Sequence, residues 1–397
     1  MTMPKPQQAG RLPSSQAFDH LIYLRIFEGC NLHCQHCFIP SNPKKMSLDD
    51  IAKVPDLMRS KAKTGDKILV QWHGGEPTLM GSAFIRSGIQ ILEREGPEFD
   101  WRHGIQTNLM SIDDAWCDLY HEHFGGEVGV SWDPKIRLMN KHAIDSNDAF
   151  NKRFEENLKF MTSKGLTPYL VVTAARTLFK NFPNPFDFFQ HWLDRGVEHV
   201  HLERITETGY ARVNWKDVGL TNAEYSRLMS KWYRAYTSFR KSQYGNAKLF
   251  LSPFENMADS VASLSDASPR SHGCWSGMCD TRFHTIDADG YKFGCTAITS
   301  EQGNKRSNHN LDLGSDLVKI RELRQFDCFK CKFRKICSSG CLAISFDDGS
   351  GECSGGYDLF ETATILNGLQ SDLSEKDSAT LSGNFPTLKI EAHHEHK

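Results

Sequence analysis

Three cysteines near the start of the chain have a spacing that suits an iron–sulfur cluster. Cys30, Cys34 and Cys37 form a Cys-x3-Cys-x2-Cys run directly after the apolar segment 21–27. Cysteine thiolates are the usual protein ligands of iron–sulfur clusters. Three of them can hold three irons of a 4Fe–4S cluster, which leaves the fourth iron open to bind a small molecule and pass it one electron. The alternatives are a zinc site that lacks one ligand and a chance grouping of core cysteines.

A second motif follows the next strand-like segment, 67–72. It consists of Gly74, Gly75, Glu76 and Pro77, about forty residues after the cysteine run. Paired glycines let the backbone approach a ligand closely and adopt dihedral angles closed to other residues. A glutamate carboxylate can accept charge-assisted hydrogen bonds from an ammonium group. Alone the motif would be an ordinary turn, but its place at a strand end supports a ligand site shared with the cysteines.

The two motifs together resemble the signature of the radical S-adenosylmethionine (SAM) enzymes. The resemblance implies that Cys30, Cys34 and Cys37 hold the cluster that cleaves SAM. It also implies that the glycine-rich turn contacts the methionine part of SAM, with Glu76 facing its ammonium group.

Further strand ends resemble places where related enzymes contact the ribose or the carboxylate of SAM. Related enzymes often have glycine after the Thr-Asn pair, where this chain has Leu109. Each of these residues could equally be a helix cap or a turn former, and the arginine could form a structural ion pair. The positions are Gln106, Thr107, Asn108, Ser131 and Arg204.

Eight more cysteines lie in the C-terminal third of the chain, and their array resembles the SPASM domain of peptide-modifying radical SAM enzymes. Eight thiolates are enough to ligate two 4Fe–4S clusters fully, although zinc is an alternative metal for the same cysteines. The segment 287–295 predicts a hairpin that turns at Asp289 and Gly290. The resemblance implies two ligand sets: Cys274, Cys279, Cys295 and Cys341 for the nearer cluster, and Cys328, Cys331, Cys337 and Cys353 for the further one. The twelfth cysteine, Cys117, is expected to be a small buried thiol.

Composition narrows the class of protein. The chain has 397 residues, a formal net charge of −2 and 39% hydrophobic residues, which suits a globular protein without a polyanion partner such as a nucleic acid. No segment approaches the ~20 apolar residues of a membrane span, and the N-terminus lacks a signal peptide. We therefore expect a cytoplasmic protein, in which twelve cysteines indicate metal binding rather than disulfides.

Strand-like and helix-like patterns alternate through residues 21–257 and predict an α/β fold. Six β-α units imply a parallel sheet with right-handed crossovers, which fits a partial (β/α)6 TIM-like barrel. Both motifs then lie at the C-terminal strand ends, where such folds bind ligands. The other predicted regions are a disordered tail over 1–20, a linker over 258–273, a small cysteine-rich SPASM domain over 274–365 and a flexible tail over 374–397. The histidines at the end of that tail, His393, His394 and His396, are expected to be solvated.

The resemblance implies a definite chemistry. A 5′-deoxyadenosyl radical made from SAM removes a hydrogen atom from a precursor peptide, and the auxiliary clusters carry an electron away. We favour an intramolecular crosslink in a ribosomally made peptide, either a thioether or the carbon–carbon bond of a cyclophane. Oxidation of the anaerobic sulfatase-maturase type is an alternative, but those enzymes typically have Asp after the hairpin cysteine, where this chain has Thr296. Further alternatives are a peptide epimerase, a small-molecule radical SAM enzyme and a non-enzymatic electron-transfer or metal-binding protein.

The implied cofactors and partners follow from this chemistry. We expect SAM and three 4Fe–4S clusters, one that binds SAM and two auxiliary ones. An electron donor such as flavodoxin or ferredoxin is also expected. Only about twenty residues precede the first strand, so we expect no fused leader-binding module. A leader peptide would then bind a separate partner or another part of this chain.

Overall fold

The structure is a computed structural model that describes residues 18–39, 44–140, 146–242, 249–303 and 313–369. The predicted tail over 374–397, with its three clustered histidines, lies outside the described residues, as does most of the predicted tail over 1–20. No helix in the described ranges combines the length and the apolar character needed to cross a membrane.

Within the described residues, nine strands form one sheet, and the barrel is unclosed, as predicted. The sheet order is β7-β6-β5-β4-β3-β2-β1-β8-β9, with β1 to β8 parallel and β9 antiparallel. The six predicted strands are present within two residues of their expected bounds, which are 21–27, 67–72, 101–106, 127–132, 168–173 and 199–204. Strand β7 was missed. The strands are β1 His20–Phe27, β2 Lys67–Gly74, β3 Asp100–Thr107, β4 Glu127–Ser131, β5 Thr167–Ala174, β6 His199–Arg204, β7 Phe250–Ser252, β8 Phe283–Asp287 and β9 Gly290–Phe293.

The helices cover the outer face of this sheet. The sequence pattern predicts single helices over 48–63 and 181–195, and both differ in the structure because proline lacks the amide hydrogen that would continue a helical turn. The first is split into α1 and α2, and the second is shortened to α7, with residue 181 ending α6. The helices are α1 Leu48–Ala52, α2 Val54–Arg59, α3 Ser82–Glu95, α4 Asp114–His123, α5 Ser146–Ser163, α6 Arg176–Asn181, α7 Pro185–Leu193, α8 Tyr210–Val213, α9 Trp215–Val218, α10 Asn222–Ser242, α11 Phe254–Ala262, α12 Thr296–Gly303, α13 Leu313–Asp327 and α14 Tyr357–Leu369.

Alternation along the strands separates an apolar outer face from a polar interior. On β2, Val70 and Trp72 are fully buried, while Gln71 and His73 on the opposite face are half-buried. The indole of Trp72 packs on α3, where a Cβ atom added at Gly88 would lie 2.6 Å from it. Polar side chains therefore line the inside of the barrel, where a polar ligand can bind.

The cysteine-rich part continues the barrel sheet. Strand β8 pairs with β1 in parallel and forms a hairpin with β9. The hairpin was predicted, but its turn is Ala288 and Asp289, because Asp287 pairs with Gly290. Residues 258–262, which were predicted to be linker, belong to α11. The connection between the two parts therefore begins at Ser263.

Candidate functional site

The three-cysteine loop follows β1 and is fixed by backbone hydrogen bonds to two distant segments. The amide of Gln35 donates to the carbonyl of Ile136 at 3.0 Å, and the amide of Tyr210 donates to the carbonyl of Cys37 at 2.8 Å. Cys30 is exposed, whereas Cys34 and Cys37 are partly buried. The loop is thus held at the C-terminal ends of the strands, and although the Cys30 residue as a whole is exposed, its Sγ lies beside the backbone amide of Leu32 and the side chain of Asn108.

Hydrogen-bond donors surround the thiols of this loop. The side-chain nitrogen Nδ2 of Asn108 lies 3.8 Å from Sγ of Cys30, and a guanidinium nitrogen of Arg137 lies 3.8 Å from Sγ of Cys34. Arg137 is itself held by Asp133 at 2.8 Å. Positive charge and donors favour the thiolate form that binds metals. These residues therefore fit a cluster ligated by three thiolates.

Burial acts against the charged form of the same thiols. It raises the pKa of Cys30 to about 11 and also raises the pKa values of Cys34 and Cys37. Metal binding would supply the positive charge that replaces each proton. Among the described residues, no three Cys, His, Asp or Glu side chains are placed so that they could hold a single metal ion.

Gly74 and Gly75 bring the second motif against the cysteine loop. The amide of Gly75 donates to the carbonyl of Phe27 at 2.9 Å, and the amide of Glu76 donates to the carbonyl of Gly29 at 3.0 Å. A Cβ atom at Gly75 would lie 2.6 Å from the carbonyl oxygen of Glu28 and would also collide with that of Gly29. Gly74 has φ +143°, which favours glycine. Backbone hydrogen bonds therefore join the second motif to the segment that leads into the cysteine run.

The buried carboxylate of Glu76 connects the second motif to the end of β3. It accepts hydrogen bonds from the hydroxyl of Thr78 at 2.7 Å, the hydroxyl of Thr107 at 2.8 Å and the amide of Asn108 at 2.7 Å. Burial raises the pKa of Glu76, and these hydrogen bonds oppose the rise. Glu76 thus holds two strand ends together, and its contact with SAM stays a prediction.

The remaining predicted SAM contacts lie in two different surroundings. Gln106 donates to the hydroxyl of Ser131 at 2.7 Å across neighbouring strands. Arg204 donates to the carbonyl of Ser354 and to the side chain of Asn222, both at 2.5 Å. Arg204 therefore joins the barrel to the cysteine-rich part by hydrogen bonds to uncharged oxygen atoms. Its role in SAM binding stays a prediction.

The eight C-terminal cysteines separate into two groups in space. Cys328, Cys331, Cys337 and Cys353 line one small cavity, which Arg334 and Phe360 also line. In the other group Cys274 and Cys341 share a hydrogen bond, which holds the pKa of Cys341 below its usual value. Burial raises the pKa of Cys295, and the nearby charges of Cys279 and Cys341 raise it further. This grouping matches the two predicted sets, and their function as cluster ligands stays a prediction.

Sequence reasoning missed a buried ion pair between the barrel and the hairpin. The guanidinium of Arg25 lies 2.6 Å from Oδ2 of Asp287 and 3.0 Å from Oε1 of Glu28. From the sequence, Asp287 was only the first residue of the predicted hairpin segment 287–295. The sequence did contain a signal for this pair, which is an arginine within the apolar segment 21–27. A charge that is buried in a strand needs a partner of opposite charge.

Comparison with known proteins identifies the family. The family model described as the radical SAM superfamily matches residues 24–133. The serine-type anaerobic sulfatase-maturating enzyme of Klebsiella aerogenes is 30% identical over 363 residues, which cover 88% of this chain and 85% of that enzyme. The chain belongs to the radical SAM enzyme family that includes the anaerobic sulfatase-maturating enzymes. A cysteine-type enzyme of Clostridium novyi is 21% identical and covers 79% of this radical SAM enzyme.

Solved structures share the fold of this radical SAM enzyme. The structure of anSMEcpe with bound AdoMet and the Cp18Cys peptide superposes with a TM-score of 0.64 at 15% identity, covering 89% of this chain and 99% of that one. Streptococcus suis SuiB bound to its precursor peptide SuiA gives a TM-score of 0.54 at 16% identity, covering 85% and 75%. The family's cofactors are SAM and a 4Fe–4S cluster, and the three-cysteine loop fits that cluster.

Proposed function

We propose that this radical SAM enzyme modifies a peptide or protein by removing a hydrogen atom from one of its residues. One observation carries the proposal: a cysteine of the nearer set and the polar interior of the barrel lie in one region. Strand β1 leads into the SAM-binding cysteine loop and pairs with β8, and the hairpin of β8 and β9 leads to Cys295 two residues after its last strand residue. A residue bound there would be near both the SAM-binding loops and the nearer auxiliary set.

The residues of this chain have distinct tasks in the proposed reaction. When bound, the 4Fe–4S cluster and SAM supply a 5′-deoxyadenosyl radical. Cys30, Cys34 and Cys37 would hold that cluster, and the loop around Gly75 would orient SAM. The two C-terminal cysteine sets would hold two auxiliary clusters, which gives three clusters in all. The barrel interior positions the target carbon and excludes water, and such positioning can contribute about 7–11 kcal/mol to lowering a barrier.

We favour an intramolecular crosslink as the product. The position after the hairpin cysteine is Thr296, a buried residue. A threonine hydroxyl is a poor proton acceptor compared with the aspartate that sulfatase maturases typically have there. A crosslink between two residues of a ribosomally made peptide, of the thioether or cyclophane type, would need its proton acceptor elsewhere in the barrel.

Oxidation of the sulfatase-maturase type is the second candidate function. It is favoured by the names of the relatives, which are serine-type and cysteine-type anaerobic sulfatase-maturating enzymes. This chain matches each of them along most of its length. Both candidates need a peptide or protein partner, together with an electron carrier such as flavodoxin or ferredoxin in the cytoplasm. A separate leader-binding partner fits the crosslinking candidate alone.

Anaerobic co-expression with the short peptides encoded beside the gene would distinguish these functions by mass spectrometry. A crosslink removes two hydrogens and blocks fragmentation between two residues. Oxidation of a serine to an aldehyde also removes two hydrogens, but it leaves fragmentation intact and makes the peptide react with a hydrazide probe. Unmodified peptides, together with an unmodified sulfatase-motif peptide, would contradict the proposed function.

A further inference from the structure

An exposed apolar patch lies at the C-terminal end of α13. Leu323, Phe326 and Phe329 are 66%, 80% and 70% exposed. Positions 323 and 326 are neighbours on one helix face, and the amide of Phe329 donates to the carbonyl of Phe326 at 3.2 Å, which keeps the third ring close to the second. Soluble proteins seldom expose several large side chains together unless the patch binds a partner.

The surroundings of this patch are strongly basic. Residues 317–337 contain seven Lys or Arg against two Asp or Glu, a formal charge of +5 on a chain whose total is −2. Lys330 and Lys335 are both exposed, and neither forms an ion pair within the described part of the chain. We call Leu323, Phe326, Phe329, Lys330 and Lys335 the basic apolar surface. Its charge selects an acidic partner.

The basic apolar surface is directly connected to the cavity of the second cysteine set. Phe329 and Lys330 lie between Cys328 and Cys331 in the chain, and the amide of Cys331 donates to the carbonyl of Cys328 at 2.9 Å. Arg334 lines the cavity, and its guanidinium lies 5.5 Å from the ring centre of Phe329. A partner on this surface would therefore be separated from the four thiols by roughly one layer of side chains.

We propose that the basic apolar surface is the docking site of a small acidic one-electron carrier protein, such as a flavodoxin. The inference rests on the proposed function, in which SAM cleavage consumes one electron. Oxidation of the substrate radical to product then releases one electron and one proton. A carrier at this surface supplies the first electron in its reduced form and accepts the second in its oxidised form, so that the electrons balance over each turnover.

Binding of flavodoxin to the reconstituted enzyme tests this site without any peptide. We expect the double variant Lys330→Glu, Lys335→Glu to raise the Kd about tenfold or more, mainly through slower association. The double variant Phe326→Ser, Phe329→Ser should raise the dissociation rate. The matched control is Lys152→Glu with Lys159→Glu on α5, which makes the same charge change on exposed lysines elsewhere. Raising the salt concentration from about 0.05 to 0.5 M should weaken wild-type binding and leave the first variant little changed.

Three results would overturn the docking site. These are unchanged binding in both surface variants, an equal loss in the control, and loss of self-association rather than of flavodoxin binding, which would make a second copy the occupant. The iron content per chain reports whether each variant holds its auxiliary clusters, and cofactor cleavage driven by dithionite reports whether it holds the SAM-binding cluster. Peptide modification under dithionite tests the proposed function alone, so the two failures are distinguishable.

Discussion

Arg25 and Asp287 form a fully buried ion pair that joins the barrel to the cysteine-rich part. They lie opposite each other on the paired strands β1 and β8, although 262 positions separate them in the chain. Arg25 also donates to the hydroxyl of Ser300 on α12 at 2.7 Å. One guanidinium thus connects the strand before the cysteine loop with the helix that follows Cys295.

Replacing Asp287 with Asn should destabilise the protein strongly. The change leaves the buried guanidinium of Arg25 without its main countercharge, and breaking a buried pair costs about 3–5 kcal/mol. Denaturant unfolding of both proteins measures the loss. Asp289→Asn is the control, because Asp289 forms an exposed pair with Lys44, and solvent screens such a pair so that it contributes little to stability. Equal losses in the two variants would contradict a special role for the buried pair.

The same pair predicts a loss of stability in acid. Burial alone would raise the pKa of Asp287, but hydrogen bonds from Lys292 and Arg25 outweigh it and hold the pKa below its ordinary value. Because the folded pKa is the lower one, the contribution is complete above the unfolded value of about 3.9. It is lost as the pH falls through the folded pKa. Unfolding curves from pH 6 to pH 2 should therefore converge for wild type and Asp287→Asn.

Each cysteine group should account for its own share of the iron. The proposed function predicts about twelve irons per chain, and the triple variant Cys30→Ala, Cys34→Ala, Cys37→Ala should lose about four of them together with all SAM cleavage. Iron analysis and 5′-deoxyadenosine formation measure the two effects. Cys117→Ala should keep both, because this buried thiol lies in the apolar core. Persistent 5′-deoxyadenosine formation in the triple variant would refute the assignment.

Gly75→Ala should disable SAM cleavage while leaving the fold intact. The added methyl group would meet the carbonyl groups of Glu28 and Gly29 and push the cysteine loop away from the turn. A shift of about 1 Å in a positioning loop can lower a rate about 100-fold. Gly368→Ala is the control, because a Cβ atom there meets nothing within 4 Å. Normal 5′-deoxyadenosine formation in Gly75→Ala would show that the loops need not touch.

The variant Glu76→Gln tests whether the negative charge of Glu76 is needed, or only a side chain of that shape between the ends of β2 and β3. The glutamine keeps the shape but sets an amide group against donors such as the amide of Asn108. A buried donor left without an acceptor costs about 1–3 kcal/mol. We expect weaker SAM binding in calorimetry as well as reduced stability. The variant Thr107→Val removes one donor to Glu76 and the acceptor of the Leu109 amide, and it keeps the Glu76 carboxylate. It should therefore have the smaller effect on SAM binding; a larger effect would contradict this account.

The sequence by itself determined most of the strands, most helices and the residue types of the site. Alternating apolar positions and capping residues act between near neighbours, so the segment 199–204 and the capping box of Ser47 and Asp50 could be recognised locally. The spacing of Cys30, Cys34 and Cys37 could be recognised for the same reason, since one short loop carries all three.

Only the tertiary structure decided which distant residues meet. The partnership of Arg25 with Asp287, the tie of Glu76 to Thr107 and the grouping of Cys341 with Cys274 all join elements far apart in the chain. Such contacts depend on strand register and on how the hairpin adds to the barrel edge. Local patterns specify each element, but the packing of all the elements together selects the partners of a buried charge or thiol.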